Sequence, residues 1–213
     1  MAQAIDTRSL ARGGALCLIA GFVDAVSYTE LGAIFAANMT GNSVLFAIAA
    51  VRGESARAAS YALTLAVFLA GAIISSLLRR ITKQSAVALA GAAALLLVAA
   101  LVPAARDQQL ALLACAMGLQ GGAITRFGPI NLTTVVVTGT MVRLADNLVD
   151  HVMPANSVHA PQSARLDALA WFAYIAGAAL AVGAQHIMAQ PLILAVIGLL
   201  VIAAEVTAAT QRK

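Results

Sequence analysis

Charge is scarce in this chain. Only 10% of its 213 residues are Asp, Glu, Lys or Arg, against roughly 25% in soluble domains, and 62% are hydrophobic. So few charges cannot cover a water-facing surface, which excludes an ordinary soluble domain. Aromatics are sparse at 5%, and cysteines number two. Cys17 and Cys115 both fall inside apolar runs, where a thiol behaves as a small hydrophobe. There is no CxxC and no Cys/His cluster at ligand spacing, so neither a zinc site nor a redox motif is supported. GxSxG, HExxH, Walker-type and dinucleotide-glycine patterns are missing as well. No catalytic residue, metal or cofactor is therefore expected, and the chain is not read as an enzyme. The net charge of +4 comes from basic residues placed between hydrophobic segments, not along one face. That points to a lipid bilayer as partner and not to nucleic acid.

What the chain has in abundance is apolar length. Eight hydrophobic segments can be drawn, at 13–31, 33–50, 58–78, 85–105, 110–127, 130–149, 166–188 and 191–210. A spanning helix needs about 20 mostly apolar residues, and six of the eight read as ordinary spans. The exceptions are 33–50, interrupted by Asn38-Met39-Thr40-Gly41-Asn42, and 130–149, interrupted by Thr138-Gly139-Thr140. The first segment is expected to be retained and not cleaved as a leader, because Asp24 interrupts its apolar core and similar segments follow to the end. One membrane domain, 1–213, is the economical reading.

The two interrupted segments occupy matching places. Sliding the sequence on itself by 98 residues pairs Cys17 with Cys115, Thr40 with Thr138 and Gly41 with Gly139. Further on the offset becomes 106 and matches Ala70-Gly71-Ala72 to Ala176-Gly177-Ala178, the extra residues falling in the polar loop 150–163. The expected fold class is thus an all-α membrane protein built from two repeats, about 11–105 and about 109–210. Each holds three transmembrane helices and one broken or re-entrant segment. An odd number of crossings per repeat makes the two copies insert in opposite senses, an inverted topology.

Basic residues vote on this arrangement. With six crossings and the N-terminus inside, ten Lys and Arg residues lie inside and Arg52, Arg57 and Arg106 outside. Eight full crossings give nine to four and strand Arg79, Arg80 and Lys83 outside. The positive-inside rule favours the first, which places both termini in the cytoplasm and the protein as a multi-pass chain of the inner membrane.

Asp24 is the sharpest chemical feature, since a carboxylate at bilayer depth costs about 2.5–3.5 kcal/mol on insertion scales. It reads either as a solute or coupling-ion contact or as a structural acceptor for helix ends and hydroxyls such as Ser27 and Tyr28. Asn38, Thr40, Gly41 and Asn42 surround a helix break, where free N–H groups attract carboxylates and anions. Thr138, Gly139 and Thr140 offer the same from the second half; small-residue packing is the plainer alternative for both. Arg126, beside Gly128-Pro129, and Gln120 complete the candidate substrate- or ion-binding set. Snorkelling to the interface is the plainer reading of Arg126, beside contact with an anionic solute or with Asp24. Glu205 and the polar end of 130–149 read as interfacial, and Trp171 and Tyr174 as aromatic anchors.

Gly21-Phe22-Val23-Asp24-Ala25 and Phe35-Ala36-Ala37-Asn38-Met39-Thr40-Gly41-Asn42 resemble the YoaK family of small bacterial integral membrane proteins. Met117-Gly118-Leu119-Gln120 and Val137-Thr138-Gly139-Thr140 are similar to its second-half features. The resemblance implies a membrane protein and names no substrate. Thr140 stands where the first half has Asn42, and Gly122 where it has the acidic residue, so any paired site is chemically lopsided.

The leading functional expectation is a secondary transporter or facilitator for a small polar or anionic solute, its site at mid-membrane between the repeats. A non-transporting scaffold or partner-binding subunit, or a channel, stands as the alternative, and a homo-oligomer is left open. The topology is testable with single cysteines in a cysteine-free background. Arg52→Cys should react with an impermeant maleimide on intact cells and Lys83→Cys only after permeabilisation; eight full crossings reverse both.

Overall fold

Where no water reaches, a backbone must satisfy its own hydrogen bonds, and a helix does so within one segment. The computed structural model describes residues 7–124, 126–127, 130–131, 137–152 and 161–211. Eight helices occupy them: α1 (Thr7–Glu30), α2 (Met39–Val51), α3 (Ser55–Thr82), α4 (Ser85–Leu101), α5 (Arg106–Ala123), α6 (Val137–Val152), α7 (Pro161–Ile187) and α8 (Leu192–Gln211). The strands among the described residues form one short antiparallel ladder, β1 (Arg126–Phe127) with β2 (Ile130–Asn131).

Among the described residues four helices are long and apolar enough to cross a membrane: Thr7–Glu30, Ser55–Thr82, Arg165–Ile187 and Leu192–Thr210. Six were expected; the two that fall outside this set are the segments at 85–105 and 110–127. The first forms a helix of only 17 residues. The second, α5, opens on Arg106-Asp107-Gln108-Gln109, which dilutes its hydropathy over 18 residues. Both are lined by buried residues, among them Leu89, Leu96, Leu110, Leu113 and Met117. A helix enclosed by others needs packing volume more than a uniform apolar surface.

The helices pair closely. Along α1 and α7, Gly14 meets Leu169, Gly21 meets Tyr174, and Gln185 bonds Thr29 and Glu30, so residue numbers rise together and the two run parallel. The pair α3 and α5 is parallel too: Ser60 bonds Asp107 at 3.1 Å and Ser75 donates to the Leu119 carbonyl at 2.8 Å. At the crossing points glycine is required by space. A Cβ on Gly21 would overlap the Tyr174 carbonyl oxygen, and one on Gly177 that of Leu18. Between α3 and α5, Gly118 abuts the Phe68 carbonyl and Gly71 that of Cys115. Helix α8 packs on α4, α2 on α3 and α6 on α7.

The same contacts sort the helix ends. Arg12 pairs with Glu205 at 3.0 Å, placing the start of α1 beside the end of α8. Arg106, at the start of α5, donates from Nε to the Leu31 carbonyl at 2.9 Å, just past the end of α1. α5 is therefore antiparallel to α1. The end of its parallel partner α3, with Arg79 and Arg80, lies at the same end of the bundle as Arg12.

The segment drawn at 33–50 is broken. Residues 31–38 are non-helical, and α2 has 13 residues, about 20 Å at 1.5 Å per residue against a hydrocarbon core of about 30 Å. After α1 ends, the chain returns to the depth of Asp24 before α2 begins.

Replacing Gly177 by Val should force α1 and α7 apart and lower stability by about 1–3 kcal/mol or more. Gly183, on the same helix with nothing within 4 Å of a built Cβ, should accept Val with little change. Thermal unfolding of the two variants in detergent checks the contrast.

Candidate functional site

The break between α1 and α2 leaves backbone N–H and C=O groups without helical partners, and side chains from four helices take them up. Asp24, 2% exposed on α1, accepts at Oδ1 from the N–H of Ala37 at 2.6 Å and of Asn38 at 3.3 Å. Its Oδ2 accepts from the Tyr174 hydroxyl of α7 at 2.5 Å. One carboxyl group therefore caps the approach to α2 and ties it to the opposite half of the chain. Asn38 is the N-cap of α2, its side chain accepting from Gly41 N–H at 3.1 Å, the ordinary role of an Asn there.

Asn42, fully buried, holds the loop by its backbone. Its Oδ1 accepts from Phe35 N–H at 3.1 Å and its Nδ2 donates to Phe35 C=O at 2.7 Å. Ser27 donates to the Ile34 carbonyl at 2.7 Å. From α3, Tyr61 reaches the Ala33 carbonyl at 3.5 Å, and Arg106 adds a 3.4 Å contact from Nη2 to the Gly32 carbonyl. The turn itself is left-handed: Gly32 has φ +81° and Ala33 φ +61°. For a residue with a Cβ that conformation costs roughly 1–2 kcal/mol. The surrounding bonds offset it.

Of the residues expected from sequence, Asp24, Asn38, Gly41 and Asn42 come together here. Thr40 does not: it is exposed on the first turn of α2. Gln120 is fully buried, yet it belongs to the contact between α5 and α1, where Nε2 donates to the Leu16 carbonyl at 2.9 Å and Oε1 has no partner. Arg126 lies in β1, and β1 touches α1. Thr138, Gly139 and Thr140 open α6. The side chains of Arg126, Asn131, Thr138 and Thr140 lie outside the described residues, and Gly139 is half-buried.

Three participants escaped the sequence reading. Tyr174, read as an interfacial anchor, is corrected: its hydroxyl points into the bundle because Gly21 lets the α7 backbone approach α1 one turn from Asp24. Asp167, with a side chain 0% exposed, forms a forked pair with Arg143, 2.7 Å from Nη2 and 3.1 Å from Nε, joining α6 to α7. Its trace in the sequence was a second carboxylate at the start of an apolar segment. Arg106 looked like a loop charge. Among the described residues no group of His, Cys, Asp and Glu could hold a metal ion. The cluster can do one thing chemically: present two N–H donors and a phenol to an acceptor, a place now taken by Asp24.

The profile of a family described as "Protein of unknown function (DUF1275)" matches residues 13–204. The chain is 33% identical over 144 residues to the UPF0700 transmembrane protein YoaK of Bacillus subtilis (strain 168), covering 62% of this chain. The matched stretch spans 64% of that relative's length. No solved structure matches.

Asp24→Ala should leave two buried N–H groups without an acceptor, at about 1–3 kcal/mol each. Tyr174→Phe should cost about 1.5–3 kcal/mol, as for a bond to a charged group. A double-mutant cycle on thermal stability should show the two effects coupled by about 0.5–3 kcal/mol; additive effects would mean the 2.5 Å contact carries no energy.

Proposed function

Since the chain belongs to the DUF1275 family, a membrane-protein family of unknown function, we propose from the site itself that it is a secondary transporter or facilitator for a small polar or anionic solute, placed in the inner membrane with both termini cytoplasmic. One observation carries this reading: Asp24 joins a helix break in the first half of the chain to Tyr174 in the second. A half-helix starting at bundle depth against the opposite half is the kind of place where transporters of inverted-repeat build hold solutes.

The inverted-repeat reading draws support from paired contacts. Gly21 on the Tyr174 carbonyl is matched by Gly118 on that of Phe68, and Gly177 on Leu18 by Gly71 on Cys115. These pairs relate α3 to α7 by an offset of 106 and α1 to α5 by 97, one residue from the register the sequence suggests. With α1 and α7 parallel, α3 and α5 parallel, and α5 antiparallel to α1, equivalent helices of the two halves point in opposite directions. In this reading α2 and α6 are the re-entrant segments, and Gln120, Arg126, Thr138, Gly139 and Thr140 form the second half's counterpart to Asp24, Asn38, Thr40, Gly41 and Asn42.

The mechanism follows from competition. A solute carboxylate or similar acceptor approaching α2 takes the N–H groups of Ala37 and Asn38 from Asp24. Asp24 and Tyr174 then part, which frees the halves to move against each other across the glycine crossings. The second reading, a scaffold, rests on the fact that all three donors to Asp24 belong to the protein and the group is 2% exposed.

A metabolite panel screened by thermal stabilisation of the purified protein separates the two. The transporter reading expects one or more small polar or anionic solutes to raise Tm in the wild type and not in Asp24→Asn. A panel without effect, together with wild-type phenotype for Asp24→Asn in cells, favours the scaffold.

A further inference from the structure

An apolar groove of about 1020 Å³ runs between α1, α7 and α8, lined among others by Ala15, Ile19 and Phe22, by Leu180, and by Gly198 and Ile202. A smaller cavity of about 270 Å³ lies between Arg8, Arg12, Glu205, Ala208 and Ala209. The two share one strip. On α1, positions 8, 12, 15, 19 and 22 follow the four-then-three spacing of a single helix face, as do 198, 202, 205 and 209 on α8. The strip is therefore apolar for most of its length and charged at one end, the outline of an amphiphile.

We propose that this strip binds an anionic phospholipid, one acyl chain in the groove and the phosphate at Arg8 and Arg12. Three observations carry the assignment. The charged end holds two arginines and one glutamate, a net positive site. Arg12 is only partly used by the protein: its Nη2 meets Glu205 at 3.0 Å, its side chain is 17% exposed, and its Nε is buried with no acceptor. Buried donors call for acceptors, and a phosphate offers several in the geometry a guanidinium prefers. Finally, the arginines lie at the end of the bundle that also carries Arg79 and Arg80, so a headgroup there and a chain running up the groove have the direction a lipid takes in its leaflet. The groove is concave because α8 packs mainly on α4, and in a bilayer such a concavity is filled by a chain.

The test uses purified wild-type protein, delipidated in neutral detergent and offered phosphatidylglycerol, phosphatidylcholine or inorganic phosphate, read by thermal unfolding and native mass spectrometry. Phosphatidylglycerol should be retained as a single adduct and preferred over phosphatidylcholine by about fivefold or more, with a higher Tm. The variant R8Q/R12Q should lose the preference. If it does not fold, Leu180→Trp, which fills the groove, should reduce retention, while Leu69→Trp, exposed elsewhere on α3, should not. Equal retention of both lipids, a preference that survives R8Q/R12Q, an equal shift from inorganic phosphate alone, or a lipid-free dimer covering the groove would each overturn the proposal.

Discussion

Everything around the helix break depends on Asp24 finding donors. A chain that stops being helical inside an apolar bundle exposes N–H and C=O groups that lipid cannot satisfy, and a buried carboxyl group has the mirror problem. Here each solves the other: the N–H groups of Ala37 and Asn38 lack helical acceptors, and Asp24 lacks water. Asn42, Ser27 and Arg106 extend the solution along the loop by taking backbone groups of Leu31, Ile34 and Phe35. The left-handed conformation of Ala33 persists inside this network, which over-determines the loop.

The third donor to Asp24 depends on packing. Tyr174 can reach the carboxyl group only because α7 comes within backbone contact of α1, and it does so because Gly21 and Gly177 each face a carbonyl oxygen on the opposite helix. Without a hydrophobic drive between helices in lipid, such small-residue contacts are what hold a bundle together. The geometry of the glycines and the chemistry of Asp24 are thus one constraint. In α3 and α5 the glycines serve the same end, and Ser75 supplies the hydrogen bond, to the Leu119 carbonyl.

Much of this was legible in the sequence, for a physical reason: features that violate hydropathy stand out. Asp24, Asn38, Gly41 and Asn42 were visible because each is polar or flexible where the chain should be neither. Tyr174 and Asp167 were not. A tyrosine is at home at a membrane interface, and a carboxylate at the start of an apolar segment reads as a helix end. Only three-dimensional proximity distinguishes the bundle-facing residue from the anchoring one. Thr40 shares the polarity of its neighbours in sequence, yet one turn of helix points it outward. The count of spans was less legible, because α4 is a helix of 17 residues and α5 opens on polar residues, and both pack among buried neighbours.

The central claim is that Asp24 holds the backbone at the start of α2. Hydrogen–deuterium exchange of the purified protein in nanodiscs measures it most directly, at the amides of Ala37 and Asn38. The account predicts protection there comparable to that inside α1, lost in Asp24→Ala while α1 itself stays protected. Rapid exchange at these amides in the wild type, as from a loop open to water, would contradict it.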